Sequence, residues 1–442
     1  MKIPFAALSL ALALSHAALL GAEISGDAGP YVAAPLDNPL RGLVPYQDEE
    51  ARAFPHSMEF TYIPFAKLVK GPGEYDWAPL EKALEAARAR GNQLIFRISI
   101  EYPGEKTELP EFLKARGVGL TEWATEEDGK GAVGTPDWEH PALREAITGF
   151  IAAMGGKYDG DPRIGFITAG LLGLWGEWHD YPREELFASR AVQREVLDAY
   201  EKAFQKTKIL LRYPAGELGE GGETGELEPN AHRPFGYHDD SFGWATLDTG
   251  REDDSWYFLA AMKAAGALGK WQTQPIGGEI RPELWAGNFT AKLHPSGQDF
   301  PACIAQSHVS WLMDSGMFSE AAEGNPAQIA RARVVTAAMG YELHISGWKI
   351  SASRVLSLTV ENRGVAPFYY DWPIELEVDG KSQACPEWRL SQILPDAPVE
   401  WTCQLDQVPG TLRIRIPHPM AGGKALRLAN PSREGGWVVL RE

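Results

Sequence analysis

Apolar residues in this chain gather in short runs, and between the runs they recur with helical spacing. Residues 58–65 form one run, a Gly-Pro-Gly turn follows at 71–73, and Leu80, Leu84 and Ala87 then share one face of a helix that Asp76 caps and Gly91 ends. Residues 92–100, with Leu94, Ile95, Phe96 and Ile98, are the next buried strand, and Arg97, Glu101 and Tyr102 fall toward its C-terminal end. A helix through Leu143, Ile147, Phe150, Ile151 and Met154 leads to the apolar run 164–167; a second through Val192, Val196, Tyr200 and Phe204 leads to 209–214. Further strands are predicted at 234–240, 271–279 and 307–312, with helices at 256–265 and 325–339, and a short strand at 38–46 precedes them all. Strand and helix thus alternate eight times between residues 38 and 340. This predicts the α/β class, and eight repeats predict closure into a (β/α)8 TIM barrel. No Gly-x-Gly-x-x-Gly turn follows the first strand, which weighs against an open nucleotide-binding sheet.

Two stretches break the alternation. Residues 105–140 lack a strong period and read as a long loop with a short helix, laid over one end of the fold; residues 216–233 read as a charged surface loop. From residue 342 the period changes to two, as in Val355 to Val360 and Ile374 to Val378, with an Asp379-Gly380 turn. This predicts a C-terminal β-sandwich. Residues 368–372 (Phe-Tyr-Tyr-Asp-Trp) there suit packing against the barrel better than a sugar-stacking surface. At the other end, Lys2 and the apolar run 3–20 have the pattern of a secretory signal peptide. The division expected is 1–22 signal, 23–341 barrel, and 342–442 accessory domain.

Composition narrows the function. The formal charge of -18 over 442 residues excludes wholesale binding to nucleic acid or anionic membrane, and no second stretch is apolar enough to span a bilayer once the signal is removed. A secreted or periplasmic location is expected, where Cys385 and Cys403 can pair and leave Cys303 free. Fifteen Trp and 14 Tyr exceed the needs of a core and suit stacking on sugar rings.

The chemistry gathers after the fourth strand, where residues 168–179 read Thr-Ala-Gly-Leu-Leu-Gly-Leu-Trp-Gly-Glu-Trp-His. Glu177 between Trp175 and Trp178 is expected to lie against aromatic faces that raise its pKa, as a general acid requires, and His179 joins the same cluster. A second acid, Glu279, ends the seventh strand after Gly277-Gly278. Barrel chemistry is built at C-terminal strand ends, where both acids fall. Arg41, Arg97 and Arg212 at strand ends are candidate clamps for an acidic sugar, and His308 and Trp311 are candidates for a subsite floor. Asp239 or Asp240 would serve as base if the reaction inverts configuration. No metal or other cofactor is expected, because adjacent pairs such as His238 and Asp239 offer poor ligand geometry.

Tyr62-Ile63-Pro64-Phe65 followed by Gly73-Glu74-Tyr75-Asp76-Trp77, taken with Glu177 and Glu279, resembles the superfamily of retaining barrel glycoside hydrolases. The Trp-Gly-Glu-Trp-His segment and the C-terminal β-domain resemble exported bacterial glycosidase-like proteins. The resemblance implies that Glu177 is acid/base and Glu279 nucleophile, with Tyr237 or His238 bonded to the nucleophile and Tyr62 in the sugar site. The superfamily carries Asn immediately before the acid/base, and this chain carries Gly176 there. The function expected is hydrolysis of a polysaccharide or oligosaccharide; the competing reading is a non-catalytic carbohydrate-binding protein on a degenerate barrel. Sugar identity, linkage, exo or endo action and oligomeric state leave no mark in these residues.

Overall fold

The computed structural model describes residues 23–48, 54–125, 131–216, 227–285, 287–290 and 294–442, and the expected signal peptide lies outside them. Eight parallel strands form one sheet: β1 Gly42–Val44, β2 Met58–Pro64, β3 Gln93–Ser99, β4 Ile164–Thr168, β5 Ile209–Leu211, β6 Gly236–Phe242, β7 Ile276–Ile280 and β8 Trp311–Met313. β8 pairs with β1 through Trp311–Gly42 and Met313–Val44. The sheet closes where Tyr46 bridges Phe60, with Gln47 N donating to Phe60 O at 2.8 Å and Phe60 N to Pro45 O at 2.9 Å. Helices cover the outside, so the predicted (β/α)8 barrel is the fold. Among the described residues no helix is long and apolar enough to cross a membrane.

Side chains fill the barrel rather than leave a pore. Phe166 and Trp311 stack at 5.9 Å, and a Cβ on Gly277 would fall 2.2 Å from the Trp311 ring, so glycine is required there. The same buried cluster runs on from Phe60, Ile95 and Phe166 to Leu343, Leu358 and Ile414 of the C-terminal region.

That region consists of two four-stranded sheets. One carries Leu343–Ile350, Val355–Asn362 and Val399–Gln404, and its edge is Ile24–Gly26 from the chain's start. The other carries Glu375–Val378, Lys381–Gln383, Leu412–Arg415 and Val438–Arg441. Cys385 and Cys403 are bonded, and Cys303 is free and buried. Residues 368–372 pack against the N-terminal end of the barrel: Tyr370 donates to Gly165 O at 2.7 Å and Tyr369 to Trp271 O at 2.7 Å.

The long loop after β3 holds the expected short helix, Glu111–Ala115, and also a hairpin of Leu120–Thr125 with Gly131–Pro136 that periodicity does not reveal. The strand expected at 307–312 is shorter and later. His308, at φ 55°, ends the helix Phe300–Ser307, and only Trp311–Met313 pairs in the sheet.

Candidate active site

At the C-terminal mouth of the barrel lies a cavity of about 620 Å³, lined by Glu177, Glu279, Asp240, Arg212 and His179 among a ring of tyrosines and tryptophans. Its volume falls in the range of small-molecule sites, roughly 300–1,000 Å³.

The loop from Ala169 to Asp180 delivers Glu177. Leu171, Trp175 and Trp178 all sit at positive φ (74°, 53° and 61°), and Gly173 and Gly176 do so at 76° and 73°. Left-handed backbone at a non-glycine residue costs roughly 1–2 kcal/mol, so the loop holds its shape only because its surroundings fix it. Leu171 N donates to Ile98 O at 2.7 Å, Trp175 N to Glu101 O at 3.1 Å, and Trp178 Nε1 to Ala169 O at 2.9 Å. Gly176 packs against β3 so closely that a Cβ would stand 2.9 Å from Gly170 Cα and 3.2 Å from Ile98 O. An asparagine cannot occupy this position without moving the loop.

Trp178 faces the core and does not line the cavity, which leaves Trp175 alone of the two flanking indoles beside Glu177. The expected aromatic cage for Glu177 is therefore absent, and so is its expected effect. Burial would raise the Glu177 pKa, but the His179 ring 3.8 Å away, the Arg97 charge, the neighbouring Asp240 and the Arg212 charge outweigh it and hold this carboxylate well below its usual range. Arg97 Nη1 is 2.7 Å from Glu177 Oε1, and its Nε donates to Thr168 Oγ1 at 3.1 Å. Of the two glutamates, Glu279 is the one whose pKa rises, to about 8, because it is buried and faces the Glu177 charge; the Tyr46 hydroxyl, 3.3 Å from its Oε1, offsets part of the rise. At neutral pH the cavity holds one ionised and one protonated glutamate.

The sheet's alternation places the remaining candidates. On β6, His238 and Asp240 point inward, whereas Tyr237 donates to Asn230 Oδ1 at 2.8 Å and Asp239 accepts from Thr246 Oγ1 at 2.6 Å, both away from the cavity. His238 lies beneath the floor with Nδ1 3.3 Å from Arg97 Nη2, and burial keeps its ring neutral. The structure does not bond Tyr237 or His238 to Glu279; Tyr46 takes that place. Tyr62 lines the wall and meets Arg97 Nη1 at 3.2 Å. Arg212 also lines it, bonded to Asp240 and stacked over Tyr213 at 3.6 Å.

Three further expected site residues lie elsewhere. Arg41 turns down to donate to Tyr341 O and Ala337 O, each at 2.7 Å. His308 precedes β8, stacks on Trp271 at 3.7 Å and meets Val365 O. Trp311 is the packed interior of the barrel. All three belong to N-terminal ends of strands, not to the mouth. Conversely, Tyr46, Tyr102, Trp244, Trp256, Arg281 and Trp285 line the cavity without having been foreseen, although most follow a barrel strand by only a few residues.

Among the described residues, Glu177, His179 and Asp240 have ligand atoms within 4.8 Å of one another, as a metal ion would need. Their surroundings do not suit a cation. Arg97 already neutralises Glu177 and Arg212 neutralises Asp240. Tyr181 N donates to His179 Nδ1 at 3.3 Å, which in the neutral ring leaves the proton on Nε2, the nitrogen facing Glu177 at 3.8 Å.

No protein-family model matches the chain, and no curated protein matches it. Among solved structures it is similar to endo-glycoceramidase II from Rhodococcus sp. (12% identity, 79% of this chain and 92% of that one, TM-score 0.41). It is also similar to the catalytic domain of β-amylase from Paenibacillus polymyxa (11%, 63% and 91%, TM-score 0.39) and to a GH5_18 protein from Bifidobacterium longum subsp. infantis (13%, 64% and 70%, TM-score 0.37). These likenesses are too distant to bear on residues; the closed eight-stranded sheet itself makes the chain a (β/α)8 barrel.

Proposed function

We propose that the chain is an exported glycoside hydrolase that cleaves a polysaccharide or oligosaccharide with two carboxylates and no cofactor. The observation that carries the reading is the pairing of Glu177 and Glu279, unlike in charge, on one cavity walled by aromatic rings. A glycosidic oxygen leaves only when protonated, and the oxocarbenium-like transition state needs negative charge at the anomeric carbon. The opposite pKa shifts favour these tasks in the reverse of the order the resemblance implies. Glu279 gives its proton to the leaving oxygen as the bond to the anomeric carbon breaks, and the Glu177 carboxylate meets that carbon. Glu279 then takes a proton from the water that releases the sugar. The resemblance supports a retaining outcome.

The apolar run at 3–20 and the Cys385–Cys403 bond support a secreted or periplasmic location, and the two C-terminal sheets support reading 342–442 as a β-sandwich accessory domain. The test is release of reducing sugar from a panel of polysaccharides by the wild type and by Glu177→Gln and Glu279→Gln. Loss of turnover in both variants is expected, and undiminished turnover in either removes that residue from the pair. Tight binding of a glycan without turnover by the wild type would instead identify a carbohydrate-binding barrel.

A further inference from the structure

Two of the wholly buried acids that the proposed pair does not use lie beside the loop that carries Glu177. Glu101, just beyond β3, and Asp180, next to His179, are each 0% exposed. One Glu101 oxygen accepts from Thr135 Oγ1 of the hairpin, which accepts in turn from Trp123 Nε1 at 2.8 Å. Among the described residues the other Glu101 oxygen, both Asp180 oxygens and the Trp138 Nε1 have no hydrogen-bond partner. What faces these oxygens is each other's carboxyl and the Trp138 indole. Two carboxylates pressed together away from water repel unless a proton lies between them. One proton held between them removes the repulsion and gives Glu101 a donor to Asp180.

The pair joins the two ends of the strained loop's support. Asp180 closes the segment that holds Leu171, Trp175 and Trp178 in left-handed backbone, and Glu101 also receives Trp175 N through its carbonyl. We propose that Glu101 and Asp180, sharing one proton, are positioning residues that latch this loop to β3 and the hairpin and so hold Glu177 and His179 in the cavity. The positioning role rests on the reading of Glu177 given above; the shared proton does not.

The charged groups beside Asp180 among the described residues are His179, which lowers its pKa, and Glu184, which raises it, and the hairpin presents the neutral Thr135 to Glu101. Burial raises both acids, Asp180 to about 7 and Glu101 well above the carboxylate range. The native state therefore keeps protons that the unfolded chain has released. Stability falls as pH climbs from the ordinary carboxylate range through neutrality.

The test uses the full chain. Glu101→Gln keeps a donor toward Asp180 and an acceptor for Thr135 but does not titrate, whereas Glu101→Ala keeps neither. Asp180→Asn is the second non-titrating variant should Glu101→Gln fold poorly. The thermal midpoint of Glu101→Gln is expected to fall less than that of the wild type between acidic and alkaline pH, and Glu101→Ala to be lower throughout. Infrared spectra at neutral pH should show protonated-carboxyl absorption, to which Glu279 also contributes, and Glu101→Gln should diminish it, also in a Glu279→Gln background where the Glu279 share is gone. Superimposable wild-type and Glu101→Gln midpoints, or a band unchanged by the substitution, would overturn the proposal. So would calcium or magnesium raising the midpoint of the wild type but not of Glu101→Gln, since a cation would then sit where the proton is placed. On any substrate found, Glu101→Gln should retain turnover that Glu101→Ala loses. Midpoints and spectra need no substrate, so failure of the glycosidase reading leaves a distinct result.

Discussion

Arg97 Nη1 stands 2.7 Å from Glu177 Oε1 in a part of the barrel where the arginine side chain is 1% exposed, so the charge of the mouth's central carboxylate is set from the neighbouring strand. Arg97→Met leaves Glu177 buried beside His179 and Asp240 with its nearest cation gone. Removing one partner of a buried ion pair costs about 3–5 kcal/mol. The expected result is a lowered thermal midpoint together with loss of hydrolysis, and Arg97→Lys should recover part of the stability. An Arg97→Met protein as stable and active as the wild type would show that Glu177 does not depend on this pair.

The pH dependence follows from the two glutamates. Turnover requires Glu177 ionised and Glu279 protonated. It should persist into acid, because Glu177 is held well below its usual range, and decline on the alkaline side near pH 8 as Glu279 loses its proton. Glu279 also bears on stability. Its pKa is raised on folding, so native protein holds a proton that unfolded protein loses, and stability declines between about pH 4.5 and about pH 8. The slope from this group approaches 1.4 kcal/mol per pH unit at most. Chemical denaturation of Glu279→Gln across that range should show a shallower decline than the wild type.

Tyr46 tunes the same acid. Its hydroxyl, 3.3 Å from Glu279 Oε1, favours the ionised form. Tyr46→Phe removes that bond, so the alkaline decline in activity should move to higher pH, at a cost of about 1 kcal/mol in stability. An unmoved alkaline limb would mean that another group sets it.

The barrel was legible because its strands are apolar runs that end in polar clusters, a pattern needing no knowledge of partners. Where that pattern misled, the cause was local. Residues 307–312 read as one strand carrying His308 and Trp311, yet His308 closes a helix and β8 spans only Trp311–Met313, so both lie at its start. On β6 a cluster of polar residues marks a strand end but not which of them turn inward; Tyr237 and Asp239 face away from the cavity and Asp240 faces it. The charge of Glu177 was not legible at all. Trp175 and Trp178 are its neighbours in sequence, whereas Arg97, which opposes their expected effect, lies 80 positions away.

Gly176 tests whether this mouth is built differently from that of the glycosidases it resembles. The position before Glu177 would there carry an asparagine reaching toward the sugar, but here the backbone is left-handed at φ 73° and pressed against Gly170 and Ile98. Gly176→Asn therefore meets two obstacles, of which the first is mild, since asparagine tolerates this backbone region better than other residues do. The second is not, because a Cβ 2.9 Å from Gly170 Cα meets main chain rather than a side chain able to swing away. Overpacking of this kind costs typically about 1–3 kcal/mol. Gly176→Ala separates the two obstacles, since it has the same Cβ without the tolerance or the amide. Both variants are expected to lower the thermal midpoint, alanine at least as much as asparagine, and both to reduce turnover by displacing Glu177 from Arg97. An asparagine variant that is stable and more active than the wild type would mean that the loop can open to admit the side chain.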